Sequence, residues 1–456
     1  MKKVLIITSY YPPIGGPGCI KLVKHLKYMK NSDWEPVILT QKFNFFFAFD
    51  ETLMSYVEGI PVYRFFSPDI GWLRNLFSKK DQDQEDRRWL ATKEKTILLR
   101  RIQRFIWRHL MIPDGKIGWA LPLFFKALGV IKKENIDLVY VRLPVWSMGI
   151  SAALLSKFIK KPVIIDFDDE WIGFSHYYTY TKFRQWVERR IERWIVKSVD
   201  IVISTAPRVR DRFIRRFPKI NPEKFRYITM GFDPDDFENL KPEPPPIEIE
   251  NDKKPFIMSY LGTFHEDIEP EGYFITPYYT YQALQIIEKK RPDILEDFRF
   301  VIIGHLFERL IKLAKEMNVY KYMHITGFLP HKTAMNYAAG SDLLLFVLYS
   351  KGRGNRQLPA KLYEYIAMGK PILSLVPESD GADIIRETKT GIITPPENAQ
   401  KIAEAIIDTY DKMQNGNLDI EFDKERIDNY RQNKKTRQLT TLFDEAIEKG
   451  RGFYKK

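Results

Sequence analysis

Leu343-Leu-Leu-Phe-Val-Leu348, followed by Gly352-Arg353-Gly-Asn-Arg356-Gln-Leu-Pro359-Ala-Lys361-Leu362-Tyr-Glu364-Tyr-Ile-Ala-Met-Gly369-Lys-Pro371 and Ile372-Leu-Ser-Leu-Val376, reads as strand, loop, helix and strand. The two outer runs are almost continuously apolar, as strands buried on both faces of a parallel sheet are. Pro359 suits a first helical turn, Gly369 suits a helix end, and Pro371 opens the next strand. The start of such a helix offers free N–H groups, and with Arg353, Arg356 and Lys361 beside it the segment is a candidate anion site. Glu364, one turn beyond Lys361, is placed to accept hydrogen bonds from sugar hydroxyls.

The same alternation continues in both directions. Strand-like runs are predicted at Phe256–Tyr260, Phe300–Ile303, Met323–Thr326 and Gly391–Thr394, with helices at Tyr278–Lys290, Leu306–Asn318, Lys332–Ala339 and Gln400–Lys412. An earlier series has strands at Val4–Thr8, Val37–Leu39, Val62–Arg64, Leu138–Val141, Val163–Phe167, Ile201–Ser204 and Tyr227–Thr229. Its helices are expected at Gly18–Met29, Trp119–Lys133, Ser147–Lys160 and Tyr180–Lys197. The fold class is therefore α/β, two doubly wound Rossmann-like domains, with a ligand cleft expected at the carboxyl ends of the strands. Leu240-Lys-Pro-Glu-Pro-Pro-Pro-Ile247 cannot form a packed element and reads as a linker. The expected divisions are residues 1–238, a linker at 239–254, a second domain at 255–420, and a helical segment at 421–456 that caps the second domain or crosses back to the first.

The chain has 456 residues, 44% apolar and 29% charged, which excludes a disordered polypeptide. One cysteine, Cys19, excludes an internal disulfide framework. The apolar run after Met1-Lys-Lys3 is short for a signal peptide, and no run suffices for a spanning helix, so a cytoplasmic protein is expected. The net charge of +13 favours an anionic partner. Segment Lys93–Leu110 carries Arg100, Arg101, Arg104 and Arg108 opposite Leu98, Ile102, Phe105 and Leu110. It reads equally as a helix lying on an anionic membrane, peripheral on the inner face, or as a surface helix of the first domain.

Asp166-Phe-Asp168-Asp169-Glu-Trp171 closes a strand. As Asp-x-Asp it could hold a divalent ion and a diphosphate; otherwise it is a strand-end cluster or helix cap. Tyr10-Tyr-Pro-Pro-Ile-Gly-Gly16-Pro-Gly18 lies between a strand and a helix, where glycines let backbone amides approach a phosphate or sugar, or simply make a turn.

Pro359-x-Lys361-x-x-Glu364-Tyr-x-Ala367-x-Gly369-Lys-Pro371 resembles the donor-nucleotide segment of GT-B glycosyltransferases, in particular glycosyltransferase family 4 of the bacterial polysaccharide-biosynthesis type. Ile112-Pro-Asp-Gly-Lys-Ile-Gly-Trp119, Met230-Gly-Phe-Asp233, Tyr260-Leu-Gly-Thr-Phe264 and Phe300-Val-Ile-Ile-Gly304 resemble further family segments in matching order. The resemblance implies transfer of a sugar, with retention, from a nucleotide-diphosphate sugar to a glycan or lipid-linked acceptor. It implies that Glu364 binds ribose and that Arg356 and Lys361 stabilise the leaving diphosphate, as the catalytic residues. Gly16, Gly18, Thr263, His265, Arg353, Pro359 and Leu362 complete the implied donor site. Asp166, Asp168, Asp169 and Trp171 would shape the acceptor side. No metal ion, cofactor or nucleic acid is required on this reading.

Two departures stand out. Arg356 occupies the position of the first glutamate in the family's paired-Glu motif, and Thr263 stands where many members carry an arginine. Two other classes remain as alternatives: a non-catalytic basic protein that binds membranes or nucleic acid, and a GT-B sugar-nucleotide epimerase.

Overall fold

The computed structural model describes residues 1–42, 49–67, 111–173, 180–238, 240–247, 254–264, 275–348, 358–416 and 421–450. Segment Lys93–Leu110, His265, Arg353 and Arg356 lie outside the described residues. The chain divides into two compact units, one of residues 1–228 with 436–456 and one of residues 229–435.

Among the described residues the first unit holds seven parallel strands: β1 (Lys2–Ile7), β2 (Trp34–Gln41), β3 (Val62–Phe65), β4 (Leu138–Leu143), β5 (Val163–Phe167), β6 (Ile201–Ser204) and β7 (Phe225–Tyr227). They lie in the order β3-β2-β1-β4-β5-β6-β7. Its longer helices are α1 (Pro17–Met29), α2 (Ala120–Glu134), α3 (Trp146–Phe158), α4 (Lys182–Ser198) and α5 (Pro207–Arg216). Strand β2 is longer than the apolar run Val37–Leu39, because Trp34 is buried and pairs with Lys2 of β1. Strand β7 lies two residues before the expected run at Tyr227–Thr229, since Phe225, Arg226 and Tyr227 are the residues paired with β6. Helix α4 starts at Lys182 rather than Tyr180, because the Thr181 hydroxyl caps it by accepting from the Arg184 N–H.

Among the described residues the second unit holds six parallel strands: β8 (Phe256–Leu261), β9 (Phe298–Ile303), β10 (Met323–Ile325), β11 (Leu343–Val347), β12 (Ile372–Leu375) and β13 (Gly391–Thr394), ordered β10-β9-β8-β11-β12-β13. Its longer helices are α6 (Tyr278–Lys290), α7 (Glu308–Glu316), α8 (His331–Gly340), α9 (Ala360–Ala367), α10 (Asp380–Thr388) and α11 (Ala399–Gln414). The last helix, α12 (Gln432–Glu448), lies mostly in the first unit. There Leu439, Phe443 and Ala446 join the core, and Phe443 meets the Trp34 ring edge-on at 5.2 Å.

In each sheet the strand order reverses once, between β1 and β4 and between β8 and β11. Chain segments leaving the two flanking strands diverge there, which opens a crevice at the carboxyl edge of a parallel sheet. The apolar core on both sheet faces is what makes these strands rigid supports for the loops at that edge. Among the described residues no helix is long and apolar enough to cross a membrane.

Candidate functional site

In the second unit the crevice beside β8 and β11 is built from two glycine turns and the start of α9. Gly262 follows β8 with φ +121°, and Gly304 follows β9 with φ +147°. A β-carbon on Gly304 would fall 2.4 Å from the Gly262 carbonyl oxygen, so the two turns touch backbone to backbone, and only glycine allows it. Thr326 steadies the second turn by accepting from the Gly304 N–H through its hydroxyl at 3.3 Å.

Lys361, in the first turn of α9, points at this pair of turns. Its Nζ would be 3.0 Å from a β-carbon on Gly262, donates to the Tyr260 hydroxyl at 2.9 Å, and lies 4.1 Å from the centre of the Tyr260 ring. Burial lowers its pKa to about 8, with the Glu364 carboxylate pulling weakly the other way. A desolvated ammonium with one neutral hydroxyl as its partner stands to gain from an incoming anion. Pro359 is the residue before the helix rather than its first residue, and α9 begins without a side-chain cap. Its amino-terminal N–H groups thus join Lys361 at the same edge.

Glu364 is partly exposed one turn further on, with Oε1 3.6 Å from Nε2 of His331, the first residue of α8. Leu362 is fully buried and anchors the helix, while Tyr365 donates no charge but accepts the Leu261 N–H through its hydroxyl at 2.8 Å. Thr263 is exposed at the turn after β8, and its carbonyl accepts from Tyr260 at 3.5 Å. The structure therefore brings together Lys361, Glu364, Pro359, Leu362 and Thr263. Tyr260, Gly262, Gly304 and His331 were not assigned roles from the sequence. A glycine directly after an apolar strand run, at 262 and again at 304, is the signal that could have found two of them.

The first unit carries a buried charge cluster at the carboxyl ends of β4 and β5. Lys21 of α1 places Nζ 3.1 Å from Asp166 Oδ2 and 2.6 Å from Asp168 Oδ1. Arg142, which sits opposite Asp166 in register, donates to Asp168 Oδ2 at 2.8 Å and to the Gly18 carbonyl at 3.2 Å. Tyr140 donates to Asp166 Oδ2 at 2.5 Å. Burial opposes the charge on Asp168, but Arg142 and Lys21 outweigh it and hold its pKa below the ordinary value. Burial likewise opposes the charge on Lys21, and Asp166 and Asp168 outweigh it to raise that pKa.

These carboxylates are thus already neutralised by two cations of the chain, which explains why an Asp-x-Asp pattern is present without an exposed acidic pair. Asp169 is half-buried beside them. Trp171 is buried, stacked on Trp146 at 5.4 Å, and donates to Glu188 at 3.2 Å, so it supports the fold under the loop. Gly16 needs its positive φ of +100° at the start of α1, while a β-carbon at Gly18 would meet the Tyr10 ring at 2.8 Å. Asp114 is half-buried, and accepts from the Ser147 N–H at 3.0 Å and the Ser147 hydroxyl at 2.6 Å, tying the loop before α2 to the start of α3. The basic excess of residues 182–226 is partly spent inside the fold. Arg184 pairs with Glu188, Arg212 with Glu170, and Arg216 with both Glu170 and Glu192.

The family model described as Glycosyl transferases group 1 matches residues 277–425, which contain Lys361 and Glu364. The model described as Glycosyltransferase Family 4 matches residues 76–236. The chain belongs to the family 4-like glycosyltransferases. Solved structures show the same GT-B fold in this glycosyltransferase. A sucrose-phosphate synthase from Thermosynechococcus elongatus is similar at TM-score 0.61 and 13% identity, over 98% of this chain and 99% of that one. HepE from Anabaena, solved in complex with UDP-glucose, is similar at TM-score 0.59 and 14% identity, over 98% and 100%. A UDP-GlcNAc 2-epimerase from Neisseria meningitidis, bound to UDP-GlcNAc, is similar at TM-score 0.51 and 14% identity, over 98% and 100%. Transferases and epimerases share this fold, so the family models, and not the fold, distinguish them. No curated protein is matched by the sequence.

Proposed function

We propose that this glycosyltransferase moves a sugar from a nucleoside diphosphate sugar to a glycan or lipid-linked acceptor, with retention of anomeric configuration. The observation that carries the donor assignment is Lys361: a desolvated ammonium at the carboxyl edge of β8, against the glycine turns at 262 and 304 and at the uncapped start of α9. Backbone N–H groups and one cation at a sheet switch point suit a diphosphate. Glu364 lies one turn further along the same helix, and is assigned to the ribose hydroxyls. The bound UDP-glucose of HepE makes uridine diphosphate sugars the first donors to try.

On this reading the chain's own groups act by position and charge. Lys361, with Arg353 and Arg356 in the roles the sequence resemblance implies for them, stabilises the negative charge that grows on the leaving diphosphate. The leaving phosphate oxygen takes the acceptor proton on the same face, so no protein nucleophile is needed. Transfer is proposed to be independent of metal ions, because Lys21 and Arg142 already hold Asp166 and Asp168.

Thermal shift against a panel of UDP-, GDP- and ADP-sugars tests the assignment. A donor at a hundred times its Kd stabilises the protein by about 2.7 kcal/mol. A panel with no stabilising member, repeated with the bare diphosphates and still silent, overturns the donor assignment.

A further inference from the structure

Helix α4 is turned inside out in its charges. Its two carboxylates, Glu188 and Glu192, are buried, where Glu188 meets Arg184 at 2.7 Å and Glu192 meets Arg216 at 3.0 Å. Burial pushes the Glu192 pKa up to about 7, so this acid sits deep enough to resist ionisation even beside an arginine. Arg184 is buried with them, but four other cations of the helix lie on the other side: Lys182, Arg190, Arg193 and Lys197 are exposed. Two large aromatics share that side, Phe183 at 62% and Trp186 at 54% exposure.

Positions 183, 186, 190, 193 and 197 are spaced three, four, three and four apart, which is one continuous stripe along a helix. Fourteen residues of rise make the stripe about 21 Å long. The rings of Phe183 and Trp186 stack at 6.2 Å at one end of it, and the Arg190 guanidinium lies 5.2 Å from the Trp186 ring. A soluble helix ordinarily shows water its carboxylates and hides its aromatics. The reverse arrangement here leaves two exposed aromatic rings flanked by cations, with both acids of the helix withdrawn from the surface.

We infer that this face of α4 docks on an anionic lipid bilayer. The Trp186 indole is of the kind that settles at the headgroup level, the Phe183 ring adds apolar area, and the four cations complement acidic headgroups. Exposed rings beside cations on one helix suit a bilayer surface, which offers an apolar boundary and acidic headgroups together. The stripe shares no residue with Lys93–Leu110 or with the donor site, so the inference stands apart from the proposed activity.

The full chain is to be sedimented with vesicles of phosphatidylcholine alone and of phosphatidylcholine mixed with phosphatidylglycerol. The expected result is pelleting with the mixed vesicles only, weakening as salt is raised. Each cation near an anionic surface contributes about fivefold to partitioning, so Arg190→Gln, Arg193→Gln and Lys197→Gln together reduce it about 100-fold. Phe183→Ser with Trp186→Ser removes the binding that survives high salt. Both variants keep the wild-type melting temperature, because all five side chains are exposed. No pelleting with mixed vesicles overturns the inference, as does binding to duplex DNA without binding to vesicles. So does unchanged pelleting of both variants while Arg100→Gln, Arg101→Gln, Arg104→Gln and Arg108→Gln abolishes it.

Discussion

The ammonium of Lys361 rests 2.9 Å from the hydroxyl of Tyr260, a residue 101 positions earlier and on a different element. Tyr260 is itself buried in β8, stacked on Phe264 at 3.8 Å, and cannot move to follow the lysine. The contact therefore fixes where the cation waits, and it supplies no negative charge. A diphosphate would replace a neutral partner with an anionic one.

That relationship makes donor binding depend on pH. The folded-state pKa of about 8 lies below the ordinary value of 10.5, so between these values the folded protein holds fewer protons than the unfolded chain. The stability cost of the desolvated ammonium is present in full below pH 8 and is relieved as pH rises toward 10.5. Affinity for the donor runs the other way, because the diphosphate needs the charged form. Calorimetric titration with UDP should show affinity falling roughly 30-fold between neutral pH and pH 9.5, and little change for Lys361→Arg, whose charge persists. A flat wild-type profile counts against Lys361 as the diphosphate cation.

Glu364→Gln should weaken donor binding by roughly 10- to 150-fold, the range for losing one charge-assisted hydrogen bond. The side chain is partly exposed, so the melting temperature should hold. The bare base and the ribose-containing nucleoside diphosphate distinguish the role: the variant loses affinity for the second. Equal affinity of both proteins for the nucleotide removes Glu364 from the site.

Gly304→Ala should destabilise the protein by about 2 kcal/mol, since alanine must both adopt φ +147° and displace the Gly262 carbonyl. The turn after β8 moves with it, so donor affinity falls at temperatures where the protein is still folded. Urea unfolding together with titration reads both. Wild-type stability in this variant would mean that the two turns do not touch.

Lys21→Met should cost about 3–5 kcal/mol, because it leaves two buried carboxylates with only Arg142 and Tyr140 as partners. Asp168 adds a pH signature. Its folded pKa is below the ordinary carboxylate value, so its contribution is present above that value and is lost as the pH falls through the lowered one. Transfer by the wild type in a chelator should be unimpaired. Reversible loss of transfer on removing divalent ions would return Asp166 and Asp168 to the status of metal ligands.

The sequence by itself was enough for the α/β class and the two doubly wound sheets, because strands buried on both faces must be written as apolar runs, and thirteen such runs separated by helical stretches leave few topologies. It was enough, too, to place Lys361 and Glu364 together, since one short helix carries both. It did not show what faces them. Lys21 meets Asp166 across 145 positions and Arg142 meets Asp168 across 26. Tyr260 and Gly262 reach Lys361 only because β8 and β11 are neighbours in the sheet. Nor did Trp171 announce its burial, or Glu188 and Glu192 the side of α4 on which they lie. Hydrophobic periodicity specifies which face of an element is covered; which charge finds which partner is decided by strand order and helix rotation, and these exist only once the chain has packed.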